Sequence, residues 1–314
     1  MNEGPSINAP DLVALHEAIA ALARGASVEM TWRDAGELDA CRSLLAPGTQ
    51  VFASFIPGQT WRQTVETCAT IREAGFEPVP HIAVRHLVSV AALEKLAMDL
   101  FTEAQVERAL LIAGDLSEAA GPFSASLDVL RSGALAGRGI RRIVVAGHPE
   151  GHPQLTRDEL RRIEQDKVAF AAKLGLELTF LTQFLFDAKP FLTWAGELRA
   201  AGVRSRLVVG LAGPAKLDTL VRFAIRCGVG PSIRALTTNP ASFTKLVGER
   251  GPERVVRAVA SAGVAKEIGN FGIHLYSFGG LARTCAWVRA VADGRFTLDE
   301  RDGFKARTRL RVLA

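Results

Sequence analysis

Apolar residues in this chain fall in short continuous runs separated by longer amphipathic stretches, and the two kinds alternate almost from end to end. The short runs are rich in Val, Ile, Leu and Phe and read as buried strands. The stretches with a 3.6-residue period read as helices packed over them. The pattern predicts a helix over Ala9–Arg24, then strands at Ser27–Trp32, Gln50–Ile56, Glu77–Val84, Arg108–Ala113, Ile140–Ala146, Leu176–Phe184, Arg206–Leu211 and Gly272–Phe278. Helices are predicted between them: one capped by Asp34 with Glu37 three residues on, then Thr60–Ala74, Ser89–Phe101, Pro122–Leu135, Thr156–Lys173, a helix through Ala201, Ala215–Cys227 and Gly280–Asp293. Eight strand-helix units in strict alternation predict an α/β fold, a single-domain (β/α)8 TIM barrel. Residues 1–25 add an N-terminal helix, and 228–270 form a helical insertion before the eighth strand, with helices at Asn239–Glu249 and Pro252–Ala262. The basic tail, 294–314, carries Arg301, Lys305, Arg307, Arg309 and Arg311 and is expected to cap the barrel or join an oligomer contact.

The 314 residues suit one barrel, and 48% hydrophobic with 23% charged residues is the balance of an ordinary globule. No uninterrupted apolar stretch is long enough for a membrane span, and no basic segment precedes an apolar run at the N-terminus. Cys41, Cys68, Cys227 and Cys285 are widely spaced with no CxxC pair, so neither a thiolate zinc site nor a disulfide framework is expected. A reducing cytoplasm fits. A net charge of +5 is spread over many helices and, with one tyrosine in the chain, gives no nucleic-acid footprint.

Candidate chemistry lies where the strands end, since a parallel barrel presents its loops at that mouth. The polar residues there are Glu29, His81, Asp115, Gln183, His274, Tyr276, and a stiff corner of His148, Glu150 and His152 held between Pro149 and Pro153. Each has a bland explanation: a core histidine for His81, a helix cap for Asp115, a solvated turn for the histidine loop. An unpaired buried polar group costs ~1–3 kcal/mol, so a cluster of them at one mouth points to a ligand site. Imidazoles and carboxylates also suit Zn²⁺ or Mn²⁺, which would make His81, Asp115, His148, Glu150 and His152 ligands of a barrel hydrolase. Val28-Glu29-Met30 lacks the HxH pair such barrels carry on their first strand. No Walker loop, GxGxxG or GxSxG is present.

Five segments carry a resemblance: Ser27-Val28-Glu29, Pro80-His81, Gly114-Asp115, the loop Ala146–Pro153 with its PEGHP, and Thr182–Asp187 with its TQFxFD. In this order they resemble methylenetetrahydrofolate reductase, over about residues 27 to 290. The resemblance implies an oxidoreductase of one-carbon metabolism that interconverts 5,10-methylenetetrahydrofolate and 5-methyltetrahydrofolate. Hydride from NAD(P)H would pass through a bound FAD, making the chain a flavoprotein. It assigns Glu29 as the general acid that opens the folate ring, a role that needs burial to raise its pKa. Asp115 is implied beside flavin and pterin, Gln183 as a pterin hydrogen-bonder, and Phe223 as a ring stacked on substrate. Gly114, His81, His148, His152 and either Lys167 or Lys173 are implied as flavin contacts. The chain departs from the family at Ala113, where an arginine is expected, at His148, where a tyrosine is expected, and at Met30–Arg33 in place of FFPP. Those departures fall mostly on flavin contacts. They leave open direct hydride transfer from nicotinamide to folate, or a folate-binding or pterin methyltransferase barrel without redox chemistry.

Overall fold

A computed structural model describes residues 9–226, 249–266, 268–300 and 302–308. Eight parallel strands close into a barrel, each hydrogen-bonded to its sequence neighbours and the last to the first. They are β1 (Ser27–Met30), β2 (Gln50–Ala53), β3 (Glu77–Ala83), β4 (Arg108–Ile112), β5 (Arg142–Gly147), β6 (Glu177–Phe184), β7 (Arg206–Ala212) and β8 (Phe271–Tyr276). The helices that follow them, with α1 (Ala9–Arg24), are α2 (Leu38–Arg42), α3 (Trp61–Glu73), α4 (Val90–Ala104), α5 (Ser126–Ser132), α6 (Arg157–Lys173), α7 (Lys189–Ala200), α8 (Leu217–Arg226), α9 (Glu253–Val264) and α10 (Leu281–Ala292).

The strands are apolar on both faces because both are covered. Alternate residues such as Val28, Met30, Val145 and Leu275 pack outward into the helix layer. The residues between them turn inward, where Phe52, Val79, Leu110, Val144, Leu181 and Val208 fill the barrel with a second, separate core. This alternation aims Glu29 inward, because its neighbours Val28 and Met30 belong to the outer layer.

Several predicted boundaries move. The first helix after β1 is not capped by Asp34. Thr31 is the N-cap of a 3-10 turn, Trp32–Glu37, and Asp34 reaches back to the Thr31 main-chain N–H at 2.7 Å. The expected helix Pro122–Leu135 shrinks to α5, with Asp128 bonded to the main-chain N–H groups of Ser124 and Ala125 at its start. Glu249 is not helical but pairs, with Arg250, against Ala215–Lys216. The rest of the Asn239–Glu249 expectation, and Cys227, lie outside the described residues. Cys41, Cys68 and Cys285 are free and buried. The described part of the basic tail folds as a hairpin, Phe296–Leu298 with Phe304–Ala306, against the outer helices. Phe296 stacks on His16 at 4.0 Å, and Arg257 Nη1 donates to the carbonyls of Asp299 and Gly303. Among the described residues no helix is long and apolar enough to cross a membrane.

Candidate functional site

The inward faces of β1, β3 and β8 meet at Glu29. Its Oε2 lies 3.3 Å from His81 Nε2 and 3.6 Å from His274 Nε2. Oε2 and both Nε2 atoms are buried and lack a well-formed hydrogen bond, so three polar groups converge on one small space. His274 is fully buried, and its other nitrogen, Nδ1, lies 2.8 Å from Ser27 Oγ. The Phe52 ring packs against both imidazoles, 6.1 Å from His81 and 4.6 Å from His274 between centroids. The outcome is a chain Ser27–His274–Glu29–His81 across the inside of the barrel.

The expected direction of the Glu29 shift is overturned. Burial does push its carboxyl upward, but the charge of His81 and the close polar contact and charge of both histidines outweigh it. Glu29 is held well below the usual carboxylate range. Burial in turn lowers His274, against the opposing pull of Glu29. The two imidazoles thus oppose, at Glu29, the upward push of burial.

A second group forms at the ends of β3 and β4. Asp115 Oδ1 is 2.7 Å from His86 Nε2, and the His86 ring meets Phe55, which stacks on Trp61 at 4.5 Å. Glu29 and Asp115, both expected in the site, thus each gain an imidazole partner. His86 itself had no sequence signal beyond its type, because it sits in a 3-10 turn that Val84–His86 makes after β3.

Aromatic rings build the wall at the ends of β6, β7 and β8. Phe184, Phe186, Phe223, Tyr276 and Phe278 pack together, with Phe223 stacked on Phe278 at 4.2 Å. Phe223, on α8, is half-buried in this wall. Gln183 is exposed at the irregularity where β6 slips its register against β7, between Leu181 and Phe184. That slip needs Gly210 opposite, since a Cβ there would lie 2.3 Å from the Thr182 carbonyl and 2.7 Å from the Tyr276 ring. Tyr276 donates its hydroxyl to that same carbonyl at 3.0 Å.

The histidine loop after β5 makes the fourth part. His148 and His152 meet edge to face at 5.5 Å, and His152 Nδ1 accepts from the Gln154 main chain. Burial, then the charges of Lys167 and His152, push His148 down to about 4. A cavity of about 290 Å³ lies beside the loop, between the starts of α6 and α7, lined by His148, Arg157, Arg161, Glu164, Lys189 and Trp194 among others. Arg161 Nη1 is buried with no partner. Glu164 accepts from the Trp194 indole at 2.7 Å, and burial raises its carboxyl.

The two lysines offered as flavin contacts lie on different sides of α6. Lys167 is buried on the inner side of α6 with Nζ 3.4 Å from the Ala146 carbonyl, and burial lowers it to about 8. Lys173 is corrected: it is the exposed last residue of α6, at the end of the helix away from the mouth. Among the described residues, no group of three or more His, Cys, Asp and Glu side chains is arranged to hold a metal ion. No known protein-family model matches the chain.

Proposed function

We propose that this barrel is a folate oxidoreductase, interconverting 5,10-methylenetetrahydrofolate and 5-methyltetrahydrofolate with hydride from NAD(P)H. The observation that carries the reading is the inward-facing Glu29 with an imidazole on either side, beside a wall of aromatic rings. Opening the imidazolidine ring needs a proton on the departing nitrogen, and the C–N bonding pair goes to that nitrogen as the other nitrogen forms an iminium. Hydride then reduces the methylene carbon to methyl. A proton entering the Glu29 set is shared between carboxylate oxygen and imidazole nitrogen. Carboxylate and imidazole thus act as one donor, with Glu29 its end toward the opening: its side chain is 16% exposed while that of His274 is sealed. Phe223 and its neighbours supply a face for the pterin, and Gln183, exposed at the register slip, supplies an amide for its polar edge.

The resemblance also implies FAD, and the cavity beside His148 sets Arg157, Arg161 and Lys189 among Glu150, Glu164, Asp187 and Glu197, so it is not a purely cationic cradle for a diphosphate. Arg161 offers an unpartnered buried Nη1 there. His148, His152, Gly114-Asp115 and Arg161 are the residues that would hold a flavin, which would supply hydride relay between nicotinamide and folate. Lys167 faces the Ala146 carbonyl and supports the loop from behind. A reducing cytoplasm suits the proposed substrates.

The direct test is to mix the purified protein with NADH or NADPH and 5,10-methylenetetrahydrofolate, with and without added FAD. Nicotinamide oxidation with stoichiometric 5-methyltetrahydrofolate is expected, along with the reverse reaction using a flavin-oxidising dye. Absence of turnover in both directions with both nucleotides overturns the reading, and folate binding by calorimetry without turnover assigns the barrel to a non-redox binder.

A further inference from the structure

His81, which its sequence match implies is a flavin contact, lies inside the barrel beside Glu29. It lies on β3 with its side chain turned into the barrel, only 7% exposed, and its Nε2 is aimed at Glu29 Oε2 and nothing else. His274 approaches the same oxygen from β8, on the other side of β1 in the closed barrel. The two imidazoles are not equivalent. His274 is anchored by Ser27 at its far nitrogen and is fully sealed, whereas His81 meets the edge of the Phe52 ring.

We propose that His81 is a positioning residue for Glu29: with His274 it clamps the carboxylate from both sides and fixes where the reaction's proton is kept. This inference rests on the reading of Glu29 as the proton donor to the substrate. The physical argument is one of numbers of partners. A carboxylate inside an apolar barrel is strongly disfavoured as an ion unless it is paired, and one fully buried imidazole, itself disfavoured as a cation by burial, is a poor sole partner. The second imidazole changes the balance, so that Glu29 stays ionised between turnovers and takes its proton only as part of the set. The titratable groups that face this space are Glu29 from β1, His81 from β3, and His274 and Tyr276 from β8. Tyr276 crosses the His274 ring at 4.8 Å and spends its hydroxyl on Thr182. Phe52, from β2, adds no charge.

The test is the pH profile of the folate-reducing step in His81→Leu and His81→Gln, with Glu29→Gln as reference. Removing the imidazole leaves burial less opposed, so the pH at which the step loses its proton should rise by about one unit or more in both variants. His81→Leu should lower kcat ~10–100-fold with KM within about threefold, while His81→Gln, which keeps a donor nitrogen facing Glu29, should recover part of kcat but not the pH position. Nicotinamide binding should be unchanged in both. A profile that stays put in both variants, or a loss confined to KM or to cofactor affinity, overturns the inference and makes His81 a ligand contact. If the Leu variant does not fold, the Gln variant decides by the same profile. Failure of the broader reading is distinguishable: there, Glu29→Gln itself leaves the folate step unchanged.

Discussion

Ser27 Oγ and His274 Nδ1 lie 2.8 Å apart inside the barrel, and this contact orients the imidazole toward Glu29. With a carboxylate facing Nε2, the arrangement of lowest energy puts the ring proton on Nε2 and makes Nδ1 the acceptor of the Ser27 hydroxyl. Ser27→Ala leaves a sealed ring nitrogen without a partner. A stability loss of ~1–3 kcal/mol is expected, measured by urea unfolding, together with a slower folate step at unchanged substrate affinity. A variant as stable and as fast as the parent would mean that the hydroxyl does not hold the tautomer.

Glu29→Gln removes the carboxylate that the two imidazoles share but keeps the shape of the side chain. Turnover with methylenetetrahydrofolate should fall ~10²–10⁴-fold, with folate binding within a few-fold of the parent and nicotinamide oxidation by an artificial acceptor retained. Stopped-flow separation of the two half-reactions checks this. Equal slowing of both halves would assign Glu29 to structure and not to proton transfer.

How much of this site the sequence carried depends on how locally each feature is determined. The barrel was legible because both faces of every strand are buried, which leaves a continuous apolar run, and because turn residues punctuate the units. Glu29, His81 and His274 were legible as polar residues inside such runs. The sign of the Glu29 shift was not, because it depends on β8 closing against β1 and on inward register at β3, both long-range facts. His86 was invisible for a similar reason: it meets Asp115 only because Gly114, at φ +94°, turns the chain back against Ala83 and the His86 ring. Lys167 and Lys173 could not be told apart by chemistry. Six residues on a helix place them about 120° apart around the axis, so one faces the barrel and the other solvent.

Gly147 ends β5 under the Trp194 indole, and the space above it belongs to that ring. A Cβ at Gly147 would lie 2.6 Å and 2.7 Å from two atoms of the six-membered ring. Trp194 cannot simply move, since its Nε1 donates to Glu164. Gly147→Ala should therefore cost ~1–3 kcal/mol and disturb His148 next to it. Combining it with Trp194→Leu should recover part of that loss relative to the sum of the two single changes, in a double-mutant cycle by thermal unfolding. Strict additivity would show that the overlap is relieved elsewhere.

Lys167 imposes a pH dependence whose sign can be worked out. Its pKa falls from 10.5 in an open chain to about 8 in the fold, chiefly through burial, with Glu164 opposing. Between those values the unfolded chain binds the extra proton and the fold does not, so stability rises with pH across the window; below about 8 the cost of a buried ammonium is felt in full. Lys167→Met should flatten the slope between about pH 8 and 10.5 and raise stability at neutral pH by ~1–3 kcal/mol, with Glu164 taking up a proton more readily. Urea unfolding at several pH values checks both. An unchanged slope would place the titrating group elsewhere.

Arg161 tests the proposed cofactor. It lies on α6 beside His148, bonded through Nη2 to Glu197 while Nη1 is buried without a partner in the cavity beside the histidine loop. An arginine is missing at Ala113, where flavin barrels of the resembled family have one, so a diphosphate must find its cation in another place. If FAD binds as proposed, Arg161, with its unpartnered Nη1, is the cation expected to serve it. One charge-assisted contact is worth ~1.5–3 kcal/mol, so Arg161→Ala should weaken FAD binding about ten- to hundredfold, read from quenching of flavin fluorescence. Arg161→Lys keeps the charge but not the fork and should fall between the two. Glu197→Gln supplies the control, because it frees Arg161 from its existing partner and should tighten binding or leave it alone. If FAD binds the parent and all three variants equally, the diphosphate lies outside this cavity. If the parent binds no FAD while still oxidising NAD(P)H with methylenetetrahydrofolate, hydride passes directly between the two substrates.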